Sequence, residues 1–327
     1  MTKKKRRSAN FTDLRSSAPQ KISRCKKHNH IRCLAHVINL AAQDALTVLK
    51  VGYLENDNEI YNQIDQNNEI GISGVIPKLR NLVNKIHSSP LRREKFSRQC
   101  EVANLPNKEL VQDVKTRWNS TFLMIERSCE LREALDNTGT GDRDLRKWVL
   151  LDSEWCLLNE IKNLLNIFSR ATEHISHGKF PTLENSVPIY NWLMDEIEKF
   201  QNDANIKIEV KNAALKAMEK LKKYYKDTDA LPYTVTTILD PRLKLQYYID
   251  TKWENKYIEA AQKDLNILYK TKYAPSTKNM MILEYPEDSL LQHIYKRQRV
   301  ENNNELDQYL ATPTAPYGTD ILQWWKV

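Results

Sequence analysis

Glycine is scarce in this chain of 327 residues, seven in all, and the seven are scattered. Neither GxGxxG nor GxxxxGK occurs, so no loop is suited to cradling phosphates and the usual support for a nucleotide-binding reading is missing. Cysteine is limited to Cys25, Cys33, Cys100, Cys129 and Cys156. An odd number without framework spacing predicts reduced thiols and no disulfides. Long apolar runs are missing too: no stretch approaches the roughly 18 apolar residues of a membrane span, and the opening MTKKKRRS has no apolar core behind it. Membrane insertion and secretion are therefore not expected.

What the chain does have is unevenly placed positive charge. Residues 1–36 take eleven of the 50 Lys and Arg but only Asp13 of the 42 acids, which leaves 39 bases against 41 acids in the remainder. The surplus belongs to an arm and not to the folded part. The groups Lys3, Lys4, Lys5, Arg6 and Arg7, then Lys21 to Lys27, suit an unstructured arm that touches phosphates or an import receptor. The other reading of that arm is a solvated tail.

Beyond the arm, apolar residues recur at spacings of three and four, which predicts a mainly helical chain. From Ile31 to Lys50, Leu34, Val37, Ile38, Ala41, Ala45, Leu46 and Leu49 form one wide apolar stripe. The polar run from Asn56 to Asn68 has little to bury and reads as a surface loop. Helices are expected near Val75, after Pro90, through Phe122 to Leu135, from Trp148 to Phe168, from Leu183 to Phe200, from Ile206 to Lys226, from Trp253 to Tyr273 and from Ser289 to Leu310. Two short β-like runs interrupt the pattern, one at VQDVKT before Arg117 and one at YTVTTIL. After the second, Asp240 with Pro241 reads as an N-cap and first turn of another helix.

Cys33 and His36 invite a zinc reading, since Cys25, His28 and His30 extend them to a C-x2-H-x-H-x2-C-x2-H run. Against it, both fall inside the expected amphipathic helix, where a buried and satisfied histidine is the bland alternative, and no second ligand pair follows at finger spacing.

Two blocks carry a specific resemblance. IRCLAHVINLAAQDAL places Cys33, His36, Asn39 and Asp44 as a C-x-x-H block, and VKTRWNSTFLMIERSCELREAL places Arg117, Trp118, Asn119 and Ser120 as an arginine-tryptophan motif. SEWCLLNEIKNLLNIFSRATEHISHGKFPTL, TTILDPRLKL with Asp240, Pro241 and Arg242, and ELDQYLATPTAPYGTDILQWWKV with Trp324 and Trp325 follow in order. In content and order these blocks resemble the hAT superfamily of DNA transposases.

The resemblance implies an α-rich fold: the C-terminal part of an RNase H-like α/β core, with the C-x-x-H block supporting the active site, and a large all-helical insertion domain. It implies residues 1–30 as a basic arm, 31–140 as partial core, 141–285 as helical insertion, and 286–327 as a segment leading into a dimerisation region. DNA contact is implied for Lys115, Arg117, Trp118 and Asn119, Trp118 either stacking on a base or anchoring the core, together with Lys3 to Arg7.

The family cuts DNA with two aspartates and a glutamate holding Mg or Mn. Of these, only Asp13 could correspond to an aspartate, and the glutamate lies beyond Trp325 in the family, so an incomplete metal site and no autonomous catalysis are expected. A nuclear DNA-binding protein is the leading expectation. The alternatives are a protein interaction module, or an enzyme fragment that needs a full-length hAT transposase or another copy as partner.

Overall fold

A computed structural model of the chain describes residues 33–49, 72–114, 117–176, 183–225, 231–274 and 305–326. The arm, Lys115, the 56–68 run and the first part of the helix expected from Ser289 lie outside the described residues. Those residues form two compact units. The larger comprises Arg32–Thr182 and Pro188–Asp227; the smaller is built from Leu183–Val187 and from described residues after 228. The boundary expected at 140 falls within the larger unit. Among the described residues no helix is long and apolar enough to cross a membrane.

The larger unit contains α1 (Leu34–Val48), α2 (Ile72–His87), α3 (Pro90–Val102), α4 (Trp118–Glu130), α5 (Arg132–Thr140), a 3-10 turn at Arg146–Trp148, α6 (Asp152–Ile175), most of α7 (Ser186–Asn202) and α8 (Ile208–Tyr225). Its main seam runs between α1 and α8. Ala41, Ala42 and Ala45 on one helix and Ala213, Ala214 and Ala217 on the other are all buried, and small side chains let two backbones approach closely; Leu34, Val37, Val210 and Leu221 on the same helices are buried as well. Lys220 Nζ closes the flank on Asp44 at 3.0 Å. α6 supplies the central apolar stripe, with Leu158, Ile161, Leu164, Leu165 and Phe168 wholly buried. Its N-terminus is closed by Glu154, whose Oε2 accepts from the Leu151 amide at 2.7 Å.

The smaller unit contains α9 (Leu231–Leu239), α10 (Gln246–Asp250), α11 (Asn255–Lys272), α12 (Glu305–Ala311) and α13 (Ile321–Trp324). Its core joins Val187, Tyr233, Val235, Ile238, Tyr248, Leu265, Leu306 and Tyr309.

Several sequence expectations are corrected here. Among the described residues there is no strand. The run before Arg117 has no regular structure at 110–114, and the Val114 amide and carbonyl are used by the Ser120 hydroxyl of α4. The β-branched run 231–239 is a helix. Burial of Tyr233, Val235 and Ile238 in one core overrides strand propensity, and the Thr236 and Thr237 hydroxyls donate to the carbonyls of Pro232 and Tyr233 at 2.8 and 3.0 Å, so they cost little inside a helix. Asp240 and Pro241 open a series of turns up to Leu245 and not an α-helix, since Lys244 takes a left-handed backbone (φ 50°) that no helix accommodates. Cys33 and His36 are exposed, not buried: the stripe of Leu34, Val37, Ile38 and Ala41 turns them to the opposite side of α1.

Candidate nucleic-acid interface

The arginine-tryptophan motif is built from a short extended segment that α4 captures. Cα–Cβ vectors at the start of a helix diverge by about 100° per residue, so of three consecutive residues only one points to the core. Here that residue is Trp118, 5% exposed, with its ring edge-on to Phe168 at 6.2 Å between centroids. Arg117 and Asn119 on either side are exposed. The anchoring reading of Trp118 is the one observed, and its indole does not offer a face to a base in this structure.

Beneath the motif lies a buried polar cluster. The Asp113 carboxylate, 1% exposed, accepts from Arg80 Nη2 at 2.6 Å and Nε at 2.9 Å. Its Oδ1 accepts from Ser120 Oγ at 2.8 Å and Thr121 Oγ1 at 2.9 Å. Ser120 Oγ also accepts from the Val114 amide at 2.8 Å. A carboxylate this deep persists only when its lone pairs are filled by a cation and further donors, and all the donors here come from α2 and the first turn of α4. The effect is to fix where α4 begins, and with it the direction of Arg117 and Asn119. Among the described residues the Arg117 guanidinium has no partner.

A second buried pair from α2, Lys78 Nζ to Glu154 Oε2 at 2.8 Å, ties the same helix to the N-terminus of α6. Trp155 Nε1 donates to Asp136 Oδ1 at 3.1 Å, and burial pushes the Asp136 carboxyl up in spite of that bond and of Arg132 nearby. Among the described residues no three His, Cys, Asp or Glu side chains gather at one point. The buried carboxylates of Asp113, Glu154 and Asp240 are each already matched to a cation of the chain, so they do not fit the Mg or Mn that the family uses.

The other motif residues lie in the smaller unit. Asp240, fully buried at its side chain, takes a bidentate grip on Arg242, with Nη2 at 2.7 Å and Nε at 3.0 and 3.2 Å, and this hydrogen-bonded pairing raises the Arg242 pKa. Burial pushes the neighbouring Glu184 carboxyl up, with the Asp240 charge adding to it. The last segment is fastened to this turn: Ala315 N donates to the Pro241 carbonyl at 2.8 Å, Trp325 Nε1 to the Leu239 carbonyl at 3.2 Å and Tyr309 OH to the Ile238 carbonyl at 2.7 Å. Trp324 and Trp325 meet edge to face at 4.9 Å, and both ring systems lean on Tyr309. Asn39 is half-buried on α1, and Asp44 pairs with Lys220.

Sequence reasoning missed Asp113, Arg80, Thr121 and Lys244. The signal for Asp113 was there in part: an acid between Val111 and Val114 in a β-like run, seven residues before a Ser-Thr pair at a helix start. Nothing local marks Arg80, 33 residues upstream.

Comparison with known proteins accords with this arrangement. Residues 31–164 match the family described as the ZBED1 RNase-like helical domain. The chain is 30% identical over 257 residues to a putative transcriptional regulator, tpeD, of Talaromyces stipitatus, covering 75% of this chain and 28% of that protein. It is 25% identical over 323 residues to a putative AC transposase of Zea mays, covering 91% and 37%. It is also 25% identical over 340 residues to zinc finger BED domain-containing protein RICESLEEPER 2 of Oryza sativa subsp. japonica, covering 91% and 42%. The chain belongs to the hAT family of transposases and transposase-derived proteins. It spans between a quarter and a half of the length of these relatives.

Proposed function

We propose that the chain is a transposase-derived DNA-binding protein of the nucleus that does not transpose DNA on its own, and that Cys33–Thr140 supplies the helical part of an RNase H-like core. The observation that carries this reading is the exposed pair Arg117 and Asn119, held on a rigid seat by the Asp113 cluster. A guanidinium without a protein counterion, on a backbone fixed at the start of α4, can take a phosphate in a bidentate contact at the ordering cost of its own side chain alone. Lys115 and the group Lys3 to Arg7 add positive charge that draws the chain to DNA. Trp118 acts by anchoring, not by stacking. The buried carboxylates of Asp113, Glu154 and Asp240 serve ion pairs within the protein, which supports a binding role over cleavage.

The test is fluorescence anisotropy with duplex and hairpin-ended DNA across a salt series. Arg117→Ala weakens binding and lowers the slope of log K against log salt by about one, as expected for one lost phosphate contact, while Trp118→Phe binds as the parent does. Arg117→Ala binding with unchanged affinity and slope would remove this reading. A second reading, a protein interaction surface, is favoured by Tyr317, Leu322 and Trp325, exposed on the last segment of the smaller unit. It predicts self-association or partner binding that Trp325→Ala weakens while DNA affinity stays the same.

A further inference from the structure

The smaller unit contains a cation without an anion. Lys244 is 3% exposed, and burial lowers its pKa. Its Nζ donates to the carbonyls of Tyr309 and Thr312 at 2.7 and 2.9 Å and to Thr312 Oγ1 at 2.6 Å, and it sits 4.3 Å from the centre of the Tyr309 ring. Three neutral oxygens and a π face hold this ammonium, and among the described residues no carboxylate pairs with it. A desolvated ammonium held only by neutral groups gains more from an added anion than an exposed lysine does.

The side chain that reaches it is accessible from outside. Thr312 is exposed and closes the C-terminal end of α12, its amide donating to the Gln308 carbonyl at 3.1 Å. Pro313 follows directly, and the chain from Pro313 to Pro316 has no regular structure and is exposed at all but Ala315. A hydroxyl followed by proline in an irregular, exposed segment is the geometry a proline-directed protein kinase accepts, because proline holds the backbone away from helix.

We propose that Thr312 is a phosphorylation site and that Lys244 is the built-in counter-cation for the phosphate it acquires. In the step, Thr312 Oγ1 attacks the γ-phosphorus of ATP. The new P–O bond forms as the bond to the β-phosphate oxygen breaks, the hydroxyl proton passes to the kinase, and ADP leaves. Oγ1 gives up its donated bond to the Tyr309 carbonyl, 2.8 Å away, and gains about −1.5 to −2 of charge on three acceptor oxygens one bond from the ammonium. The modification therefore tightens the hold of residues 305–326 on the turn at Asp240–Leu245.

The experiment treats the intact chain with a proline-directed kinase and ATP, maps the phosphate by mass spectrometry, and follows amide hydrogen exchange of peptides within 305–326. Expected are phosphate on Thr312, none there in Thr312→Val, and exchange slowed by about tenfold, as one new charge-assisted bond would give. In Lys244→Met the slowing is lost. Because Lys244→Met could loosen the unit by itself, the second ionisation of the phosphate is also followed by 31P resonance in the unmutated protein. It moves below the value of about 6 typical of phosphothreonine and returns there in denaturant. No phosphate on Thr312 of the native chain, unchanged or faster exchange after phosphorylation, or an unshifted 31P titration would each overturn the proposal.

Discussion

Asp113 shows at the scale of one side chain how an exposed surface motif is held in place from the interior. Its carboxylate receives four donated bonds, two from Arg80 and one each from Ser120 and Thr121. Truncating it leaves Arg80, whose side chain is 6% exposed, as a charge without its counterion. Asp113→Ala should therefore cost about 3–5 kcal/mol, read as a lower urea midpoint at unchanged slope. Asp113→Asn keeps an acceptor for Ser120 and Thr121, so its loss should be smaller. If the two substitutions unfold at the same midpoint as the parent, the cluster does not hold α4 in place. Arg80→Met with Asp113→Leu, which replaces both charges by apolar groups, distinguishes the value of the pair from the cost of breaking it.

Two helix ends have the same design. After α3, Asn104 is left-handed (φ 51°); its amide donates to the Glu101 carbonyl at 3.1 Å and that of Leu105 to Cys100 at 2.8 Å. After α10, Lys252 (φ 57°) repeats the arrangement, with its amide on Ile249 at 2.9 Å and that of Trp253 on Tyr248 at 3.0 Å. These are Schellman endings whose left-handed residue is normally glycine, and a chain with seven glycines uses Asn and Lys instead. Lys252→Gly should stabilise the smaller unit by up to about 1 kcal/mol, and Asn104→Val should destabilise the larger by about 1–2 kcal/mol. Thermal melts of the two variants check both signs. An unaffected Asn104→Val would mean that α3 ends in some other way.

The same endings show where the sequence could be read and where it could not. Long amphipathic stripes were legible: Leu34 to Leu46 and Leu158 to Phe168 fall where their spacing put them, because burying one continuous face dominates local propensity. The run from Leu231 to Leu239 was misread as strand, because its threonines and valine favour that form until a core and back-bonded hydroxyls decide otherwise. Arg117 and Trp118 stood out through their resemblance to the family's arginine-tryptophan motif. Their opposite orientations, and the dependence on Arg80 and on Phe168 far along the chain, come from tertiary packing that no local window contains. Cys33 and His36 failed for a different reason. Position 36 stands about 200° around from Leu34, outside the apolar stripe, so the spacing itself already put His36 on the solvent side.

For the whole chain the decisive property is how charge is divided. Residues 1–30 contain ten Lys and Arg and the single acid Asp13, whereas the residues after 36 are nearly balanced. Non-specific attraction to DNA scales with the number of phosphates neutralised, each adding about 0.9 to the slope of log K against log salt. If the arm engages about five phosphates, deleting residues 1–30 should reduce that slope by about 4 to 5 and weaken binding most at low salt. The contact through Arg117 should survive the deletion as a residual affinity with a shallow slope, abolished by adding Arg117→Ala. Measuring the shortened chain with and without that substitution separates the two contributions. A shortened chain with no residual affinity would place all DNA contact in the arm and leave the folded units to the interaction role suggested by Tyr317, Leu322 and Trp325. An unchanged slope would instead assign the electrostatic contact to the folded surface and make the arm a solvated tail.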